Sequence, residues 1–394
     1  MFHLSQRMES VQDPVIPIIG RMVREAPGTI NFGQGVAHYP PPPQALDAYQ
    51  FFLADPANHK YHAVDGLPVL KQKLMEKLCV ENGILLNSAQ GGDARLCVTA
   101  GGNMAFLNAA LAITDPGDEI IILTPFYFNH EMAVRIAGCK PVFAATDENF
   151  QPNLNALLDA ITERTKAVLT VSPNNPTGAV YSEAILRSIN RICLERSLYH
   201  IHDEAYEYFT YNNASHFSPG SIDSANQHTI SLFSFSKSYG FAGWRIGYMT
   251  FPARLESAIQ KIQDTNLICP PLVSQYAAAG ALEAGGAYCK KFTQSYGEVR
   301  LMILNELRKI EDLCTVPPAD GAFYFFLKIN TNISPMQLAQ QLILEHQVAL
   351  MPGHAFGMDQ GCYLRLSYGA LSPEQTVEGA ARLIQGLRAI IGSQ

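Results

Sequence analysis

Short β-rich runs alternate with amphipathic stretches along the middle of the chain, between about residues 95 and 250. This alternation is typical of strand-helix-strand units around a largely parallel sheet, and it predicts the α/β fold class. The runs predict strands at 96–99, 120–123, 141–144, 167–171, 199–202, 229–233 and 246–250. Two of the stretches between them predict helices at 103–113 and 182–196.

The pattern changes after Pro270, where a long helical stretch covers residues 290–310. Strands predicted at 323–327 and 362–366 then bracket another helix, which indicates a smaller α+β domain. Four consecutive prolines at 40–43 make the N-terminal segment stiff, and we expect an extended strap there. The predicted organisation is an N-terminal segment, 1–45, that packs with the small domain, a large domain, 46–283, and the small domain, 284–394.

Composition narrows the classes of protein that this pattern allows. The chain has 394 residues, 47% of them hydrophobic, and a net charge of -7 with scattered basic residues, which argues against a nucleic-acid partner. The first residues lack the apolar run of a secretory signal, and no apolar stretch approaches the roughly 20 residues that span a bilayer. We therefore expect a soluble, cytoplasmic protein.

The eight cysteines include no CxxC pair, so we expect buried, reduced thiols. His200 and His202 lie on one face of a predicted strand. They suggest either a metal pair or two structural histidines, and the structural role is favoured.

Lys237 has an unusual sequence environment for a lysine. It lies in Ser234-Phe-Ser-Lys-Ser-Tyr-Gly240, directly after a predicted strand, with small or apolar neighbours. A solvated surface lysine is the ordinary alternative. A partly buried amine with a lowered pKa can instead condense with a carbonyl, so Lys237 is a candidate nucleophile.

Three polar side chains follow the ends of two neighbouring predicted strands. Asn175 lies in Pro173-Asn-Asn-Pro-Thr-Gly178, and Asp203 and Tyr206 lie in Asp-Glu-Ala-Tyr. Taken singly, these sequences are also explained by a turn and by a helix N-cap. Ligands of open α/β sheets bind at this edge, where a carboxylate could pair with a pyridine nitrogen.

Gly101-Gly102-Asn103-Met104 joins a predicted strand to a predicted helix. Free backbone N–H groups at such a junction can hold a phosphate, although a glycine turn without a ligand is the commoner case. Ser234 and Arg245 are further candidate phosphate contacts.

Taken together, Asn175-Pro-Thr-Gly, Asp203-x-x-Tyr206, Ser234-x-x-Lys237 and Arg245 resemble the class I/II aminotransferases of pyridoxal-phosphate fold type I. The resemblance covers nearly the whole chain and is closest to plant-type aromatic amino acid aminotransferases, in 34–42, 233–248 and 261–275. It implies a large pyridoxal-phosphate-binding domain with a mainly parallel seven-stranded sheet flanked by helices, plus the smaller α+β domain.

The resemblance also implies roles for individual residues. Lys237 would hold pyridoxal phosphate as a Schiff base, Asp203 would pair with the ring nitrogen, and Tyr206 with Asn175 would contact the 3-oxygen. The other implied cofactor contacts are Gly102, Asn103, Met104, Ser234 and Arg245 around the phosphate, Tyr127 stacked on the ring, and Tyr61 reaching the phosphate of a partner in a homodimer.

For the substrate, the resemblance implies that Arg365 clamps the α-carboxylate, with Gly35 and Asn175 beside it. Where many relatives have Pro-Asp-Phe, this chain has Ala37-His38-Tyr39. The implied reaction is a ping-pong transamination between an L-amino acid, aromatic or methionine, and a 2-oxo acid, with no metal.

Aspartate transamination and a lyase or decarboxylase reaction on the same fold remain alternatives. The Ser234-x-x-Lys237 spacing also occurs in serine acyl enzymes, but a downstream Lys-Thr-Gly is missing. A DNA-binding regulator that contains this fold would need a further domain, for which the residues before the predicted catalytic unit are too few.

Overall fold

The computed structural model describes residues 3–86, 93–222 and 225–392. Its α-helices are α1 Gln6–Glu9, α2 Val15–Glu25, α3 Pro43–Ala54, α4 Pro68–Lys77, α5 Gly102–Ile113, α6 Phe128–Ile136, α7 Leu154–Asp159, α8 Glu183–Glu195, α9 Phe235–Ser238, α10 Glu256–Asn266, α11 Leu272–Leu307, α12 Pro335–His346 and α13 Pro373–Ile391. Its strands are β1 Ile30–Asn31, β2 Ala94–Thr99, β3 Glu119–Thr124, β4 Lys140–Ala145, β5 Thr165–Val171, β6 Tyr199–Asp203, β7 Thr229–Ser234, β8 Gly247–Pro252, β9 Cys314–Thr315, β10 Tyr324–Ile329, β11 Val348–Ala349, β12 Met351–Pro352 and β13 Cys362–Ser367.

Seven strands form the main sheet in the order β2-β8-β7-β6-β5-β3-β4. Strand β8 is antiparallel to both of its neighbours, and the other pairs are parallel. The connection from β7 to β8 contains only the short α9 and no long crossover helix, and the chain turns back antiparallel. The predicted α/β fold with a mainly parallel seven-stranded sheet is confirmed.

The central strands are buried on both faces, as parallel sheets between helix layers are. Every residue of β7 is buried, and β5 and β6 are nearly so. Because β5, β6 and β7 are parallel neighbours, their carboxyl ends at Val171, Asp203 and Ser234 lie at one edge of the sheet. Any polar groups that follow these strands are therefore brought together.

A second sheet, in the order β12-β13-β10-β9, is antiparallel. Helix α11 leads into it and bends at Gly285, whose φ of 63° interrupts the helical geometry. The predicted start of the small domain at residue 284 is next to this bend. The two boundaries between the three segments stay a prediction.

The N-terminal segment differs from the extended strap expected from its prolines. Residues 15–25 form α2, which buries Val15 and Ile19 in the main core cluster, and β1 pairs in parallel with β11. Proline is tolerated in the first turn of a helix, so Pro17 does not prevent α2 from forming. Residues 34–42 form neither helix nor strand, and the chain bends at 38–39.

The fold also shows the state of the cysteines and the surroundings of His200 and His202. All eight cysteines are free; six are buried, whereas Cys79 and Cys269 are half-buried, contrary to the expectation of burial. His200 and His202 are buried and both contact the hydroxyl of Thr170. Within the described part of the chain, no cluster of three or more histidine, cysteine or acidic residues could hold a metal ion, and no helix is long and apolar enough to span a membrane.

Candidate active site

A cavity of about 380 Å³ opens at the carboxyl edge of the main sheet. Eleven of the thirteen predicted site residues line it: Gly35, Gly102, Asn103, Tyr127, Asn175, Asp203, Tyr206, Ser234, Lys237, Arg245 and Arg365. They come from the segments that end or follow β5, β6 and β7, the starts of α5 and α6, the 34–42 segment and strand β13. The fold thus brings distant parts of the sequence into one site.

Lys237 lies on α9, the short helix that directly follows β7 and that Ser234 caps through the Ser236 N–H. Its Nζ donates a hydrogen bond to the carbonyl oxygen of Gly35 at 2.5 Å. Burial, reinforced by the positive charges of Arg365 and Arg245, lowers the pKa of Lys237 to about 8, although Asp203 opposes the shift. An appreciable fraction of this amine is therefore neutral and nucleophilic near neutral pH.

Asp203 ends β6 with its carboxylate held in place by two partners. Its Oδ1 accepts a hydrogen bond from the Ala205 N–H at 3.0 Å, and its Oδ2 lies 3.0 Å from His130 Nε2. His130, which is buried in the first turn of α6, was missed by the sequence analysis. A histidine soon after the end of a predicted strand is a weak signal, since nothing local shows that it faces Asp203.

Arg365 is buried on β13 with its guanidinium directed into the site. Its Nη1 donates to Asn175 Oδ1 at 2.9 Å and its Nη2 to the Gly33 carbonyl at 2.7 Å. Its Nε has no hydrogen-bond partner among the residues that the structure describes. A buried donor without a partner is costly, so this guanidinium is suited to an incoming carboxylate.

The start of α5 forms a second polar end of the cavity. The first N–H groups of a helix have no partner within the helix, and Gly102 and Asn103 begin α5. Gly101 has a φ of 88°, and a Cβ there would lie 2.6 Å from Arg245 Nη2. Glycine at 101 therefore lets the exposed Arg245 approach the helix N-terminus, which together with Ser234 suits a phosphate.

Tyr127, at the start of α6, lines the cavity, and its hydroxyl accepts a hydrogen bond from Asn129 Nδ2 at 2.7 Å. Two predicted residues lie elsewhere. Met104 does not line the cavity. Successive side chains of a helix project in different directions, so the residue after Asn103 does not face the same space. Tyr61 is 79% exposed and is not part of the cavity of its own chain.

The structure also adds a site residue that the sequence analysis missed, Tyr324 of β10. Its hydroxyl lies 2.5 Å from that of Tyr206, and Arg365 lies over its ring. Strand β10 was predicted, but the side of the strand that faces the cavity depends on how the two sheets pack.

These residues fit pyridoxal phosphate: an amine of lowered pKa, a carboxylate beside it, and a cradle at a helix N-terminus where a Cβ would clash. Fold and site together define a pyridoxal-phosphate enzyme of fold type I.

Comparison with known proteins agrees with this class. An aromatic aminotransferase of Arabidopsis thaliana, ISS1, is 31% identical over 98% of this chain and 97% of its own. A probable aspartate/prephenate aminotransferase of Aquifex aeolicus is 34% identical over 92% of this chain and 91% of its own. The structure of Thermus thermophilus aspartate aminotransferase with maleate has a TM-score of 0.90 at 30% identity, covering 98% of this chain and 100% of that one.

The family described as aminotransferase class I and II matches residues 27–384. The chain belongs to this family and is a pyridoxal-phosphate-dependent aminotransferase. The predictions of an aminotransferase, of transamination and of pyridoxal phosphate as its cofactor are confirmed.

Proposed function

We propose that the amino donor has an uncharged side chain, aromatic or methionine, and that donor and 2-oxo acid react in turn by a ping-pong mechanism. The observation that carries this proposal is the set of charges in the cavity. Of the described residues that line it, the cations are Lys237, Arg245 and Arg365. Each has a function at the cofactor or at the α-carboxylate, so none is left for a second carboxylate.

The uncharged part of the cavity wall supports the same donor class. Ile16, Val36 and Phe128 line the cavity together with the rings of Tyr127 and Tyr324. An apolar side chain that is buried against such a wall gains about 25 cal/mol per Å² of contact area, whereas an unpaired carboxylate would lose hydration without compensation.

The chemistry would be divided between the cofactor and the residues of the chain. When bound, pyridoxal phosphate supplies an aldehyde for condensation with amines and a ring that accepts an electron pair from the substrate. Lys237 Nζ would hold the cofactor, take the proton from the substrate α-carbon and deliver it to the cofactor carbon that carries the aldehyde. Asp203 keeps the ring nitrogen protonated, and Tyr206 and Asn175 donate to the 3-oxygen.

Binding would be divided between the two ends of the cavity. The start of α5, Ser234 and Arg245 hold the phosphate, and Tyr127 covers the ring. Arg365 binds the α-carboxylate through a bidentate pair of hydrogen bonds, next to the backbone of Gly35. We further propose a cytoplasmic homodimer in which the exposed Tyr61 reaches the phosphate in the partner's site.

A donor panel tests the substrate class. Holoenzyme is mixed with a single amino acid, without a 2-oxo acid, and the loss of the cofactor absorption band is followed. We expect phenylalanine, tyrosine, tryptophan or methionine to react faster than aspartate. Faster reaction with aspartate would contradict the proposal.

Arg365→Lys provides the control, because lysine keeps the positive charge but cannot form the bidentate hydrogen bonds of arginine. This substitution should lower the reaction rate of every donor by a similar factor and leave the order of the donors unchanged. A change of order would mean that Arg365 contacts the donor side chain.

A further inference from the structure

One side chain, Tyr324, contacts three separate parts of the active site. Its hydroxyl lies 2.5 Å from the hydroxyl of Tyr206. The guanidinium carbon of Arg365 lies 4.7 Å from the centre of its ring. A Cβ at Gly35 would lie 2.3 Å from its oxygen, so the close approach of the 34–42 segment requires glycine at that position. Tyr324 is fully buried and has little freedom to move.

We propose that Tyr324 is a positioning residue that donates its hydroxyl proton to Tyr206 and thereby leaves the Tyr206 hydroxyl free to donate into the cavity. The inference rests on the contact proposed above between Tyr206 and the 3-oxygen of the cofactor. A hydroxyl has one proton to donate and can accept at its lone pairs. If Tyr206 donated to Tyr324 instead, it could offer only lone pairs to an anionic oxygen, and the contact would be repulsive.

The position of Arg365 decides the direction of this hydrogen bond. A cation over an aromatic face stabilises negative charge on that ring, and the nearer phenol becomes the more acidic of the two. Burial raises the pKa of Tyr324 to about 12 while Arg365 opposes the rise. Burial also raises the pKa of Tyr206 well above its ordinary value, and Arg365 opposes the rise there too. Because the Arg365 guanidinium lies over the ring of Tyr324, the Tyr324 hydroxyl is the better donor, so Tyr324 donates and Tyr206 accepts.

A double-mutant cycle of Tyr206→Phe and Tyr324→Phe tests this arrangement. Two quantities are measured without substrate: the dissociation constant of pyridoxal phosphate from the apoenzyme, and the midpoint of the pH titration of the absorption band of the bound cofactor. Each single variant should bind the cofactor about two- to tenfold more weakly. Each should also raise the midpoint, because a hydrogen bond donated to an anionic oxygen lowers its proton affinity.

The cycle distinguishes an action through Tyr206 from an independent one. If Tyr324 acts through Tyr206, the double variant should match Tyr206→Phe alone in both quantities. Tyr211→Phe is the matched control, since that hydroxyl makes a buried hydrogen bond to the Ala322 carbonyl at 2.7 Å and does not line the cavity. It should leave both quantities at their wild-type values.

The outcomes that contradict the inference are separate from those that contradict the proposed function. If Tyr206→Phe shifts both quantities and Tyr324→Phe behaves like Tyr211→Phe, the positioning role is wrong and the role of Tyr206 stands. Full additivity of the two substitutions would mean that Tyr324 acts without Tyr206, and would also overturn the inference. If Tyr206→Phe has no effect, the proposed contact with the cofactor fails, and the inference fails with it.

Discussion

At the scale of single residues, the lowered pKa of Lys237 has a cost for the folded protein. The pKa falls from 10.5 to about 8, chiefly because the amine is buried. A shift of this size corresponds to ~3 kcal/mol of destabilisation when the lysine is protonated. Well below pH 8 the amine is protonated in both folded and unfolded chains, so the full cost applies. Between pH 8 and 10.5 the folded chain releases the proton first, and the cost is relieved.

Lys237→Met should therefore abolish turnover and yet stabilise the apoenzyme at pH 7, by up to ~3 kcal/mol. The stability difference between variant and wild type should shrink as the pH rises towards 10. Chemical denaturation of both apoenzymes at several pH values measures it. Lys290→Met, at an exposed lysine, is the control and should show a difference that does not vary with pH. A constant difference for Lys237→Met would contradict the burial argument.

Local motifs predicted the residues that follow the strands, and could not predict their partners from other parts of the chain. Asn175, Asp203 and Lys237 were predicted because each lies directly after a strand that sequence periodicity locates. His130 and Tyr324 were not, because their contacts depend on helix and sheet packing. Tyr39, where the chain departs from many relatives, shares its one hydroxyl proton between the Lys237 and Ser238 carbonyls, at 2.7 and 3.0 Å, and only the folded structure shows this contact.

At the scale of elements, the seven strands of the main sheet were predicted to within two residues at each end. The apolar runs of these strands are buried on both faces, except in the edge strand β4, where buried and exposed positions are mixed. Helix α2 was not predicted. Its apolar stripe, which includes Val15 and Ile19, is short and flanked by prolines, and it becomes helical by packing against the core of the C-terminal part. The prolines around it predicted an extended strap and gave no sign of a helix.

The start of α5 supports a prediction at this scale. Gly101→Ala places a Cβ 2.6 Å from Arg245 and forces a residue with a side chain into a φ of 88°. We expect the affinity of the apoenzyme for both pyridoxal phosphate and inorganic phosphate to fall about tenfold, or ~1.4 kcal/mol. Equilibrium titration of the two ligands measures it.

Gly117→Ala is the matched control, because Gly117 has a φ of 90° and lies in a turn away from the cavity. It imposes comparable backbone strain and should leave both affinities unchanged. If the two variants lose affinity equally, strain rather than the phosphate cradle explains the effect of Gly101→Ala.

At the scale of the whole molecule, the proposed homodimer can be tested through Tyr61, which is exposed in the single chain. Tyr61→Ala and Lys237→Met subunits are separately inactive or weak; mixing and reassembling them should restore up to half of the wild-type activity per hybrid dimer. One site of each hybrid would then combine an intact Lys237 with a Tyr61 from the other subunit. If Tyr61 serves its own chain, every site in the hybrid lacks one of the two residues, and no activity returns. Activity is measured at several mixing ratios of the two variants. If Tyr61 acts in the partner's site, the recovered activity should be proportional to the fraction of hybrid dimers.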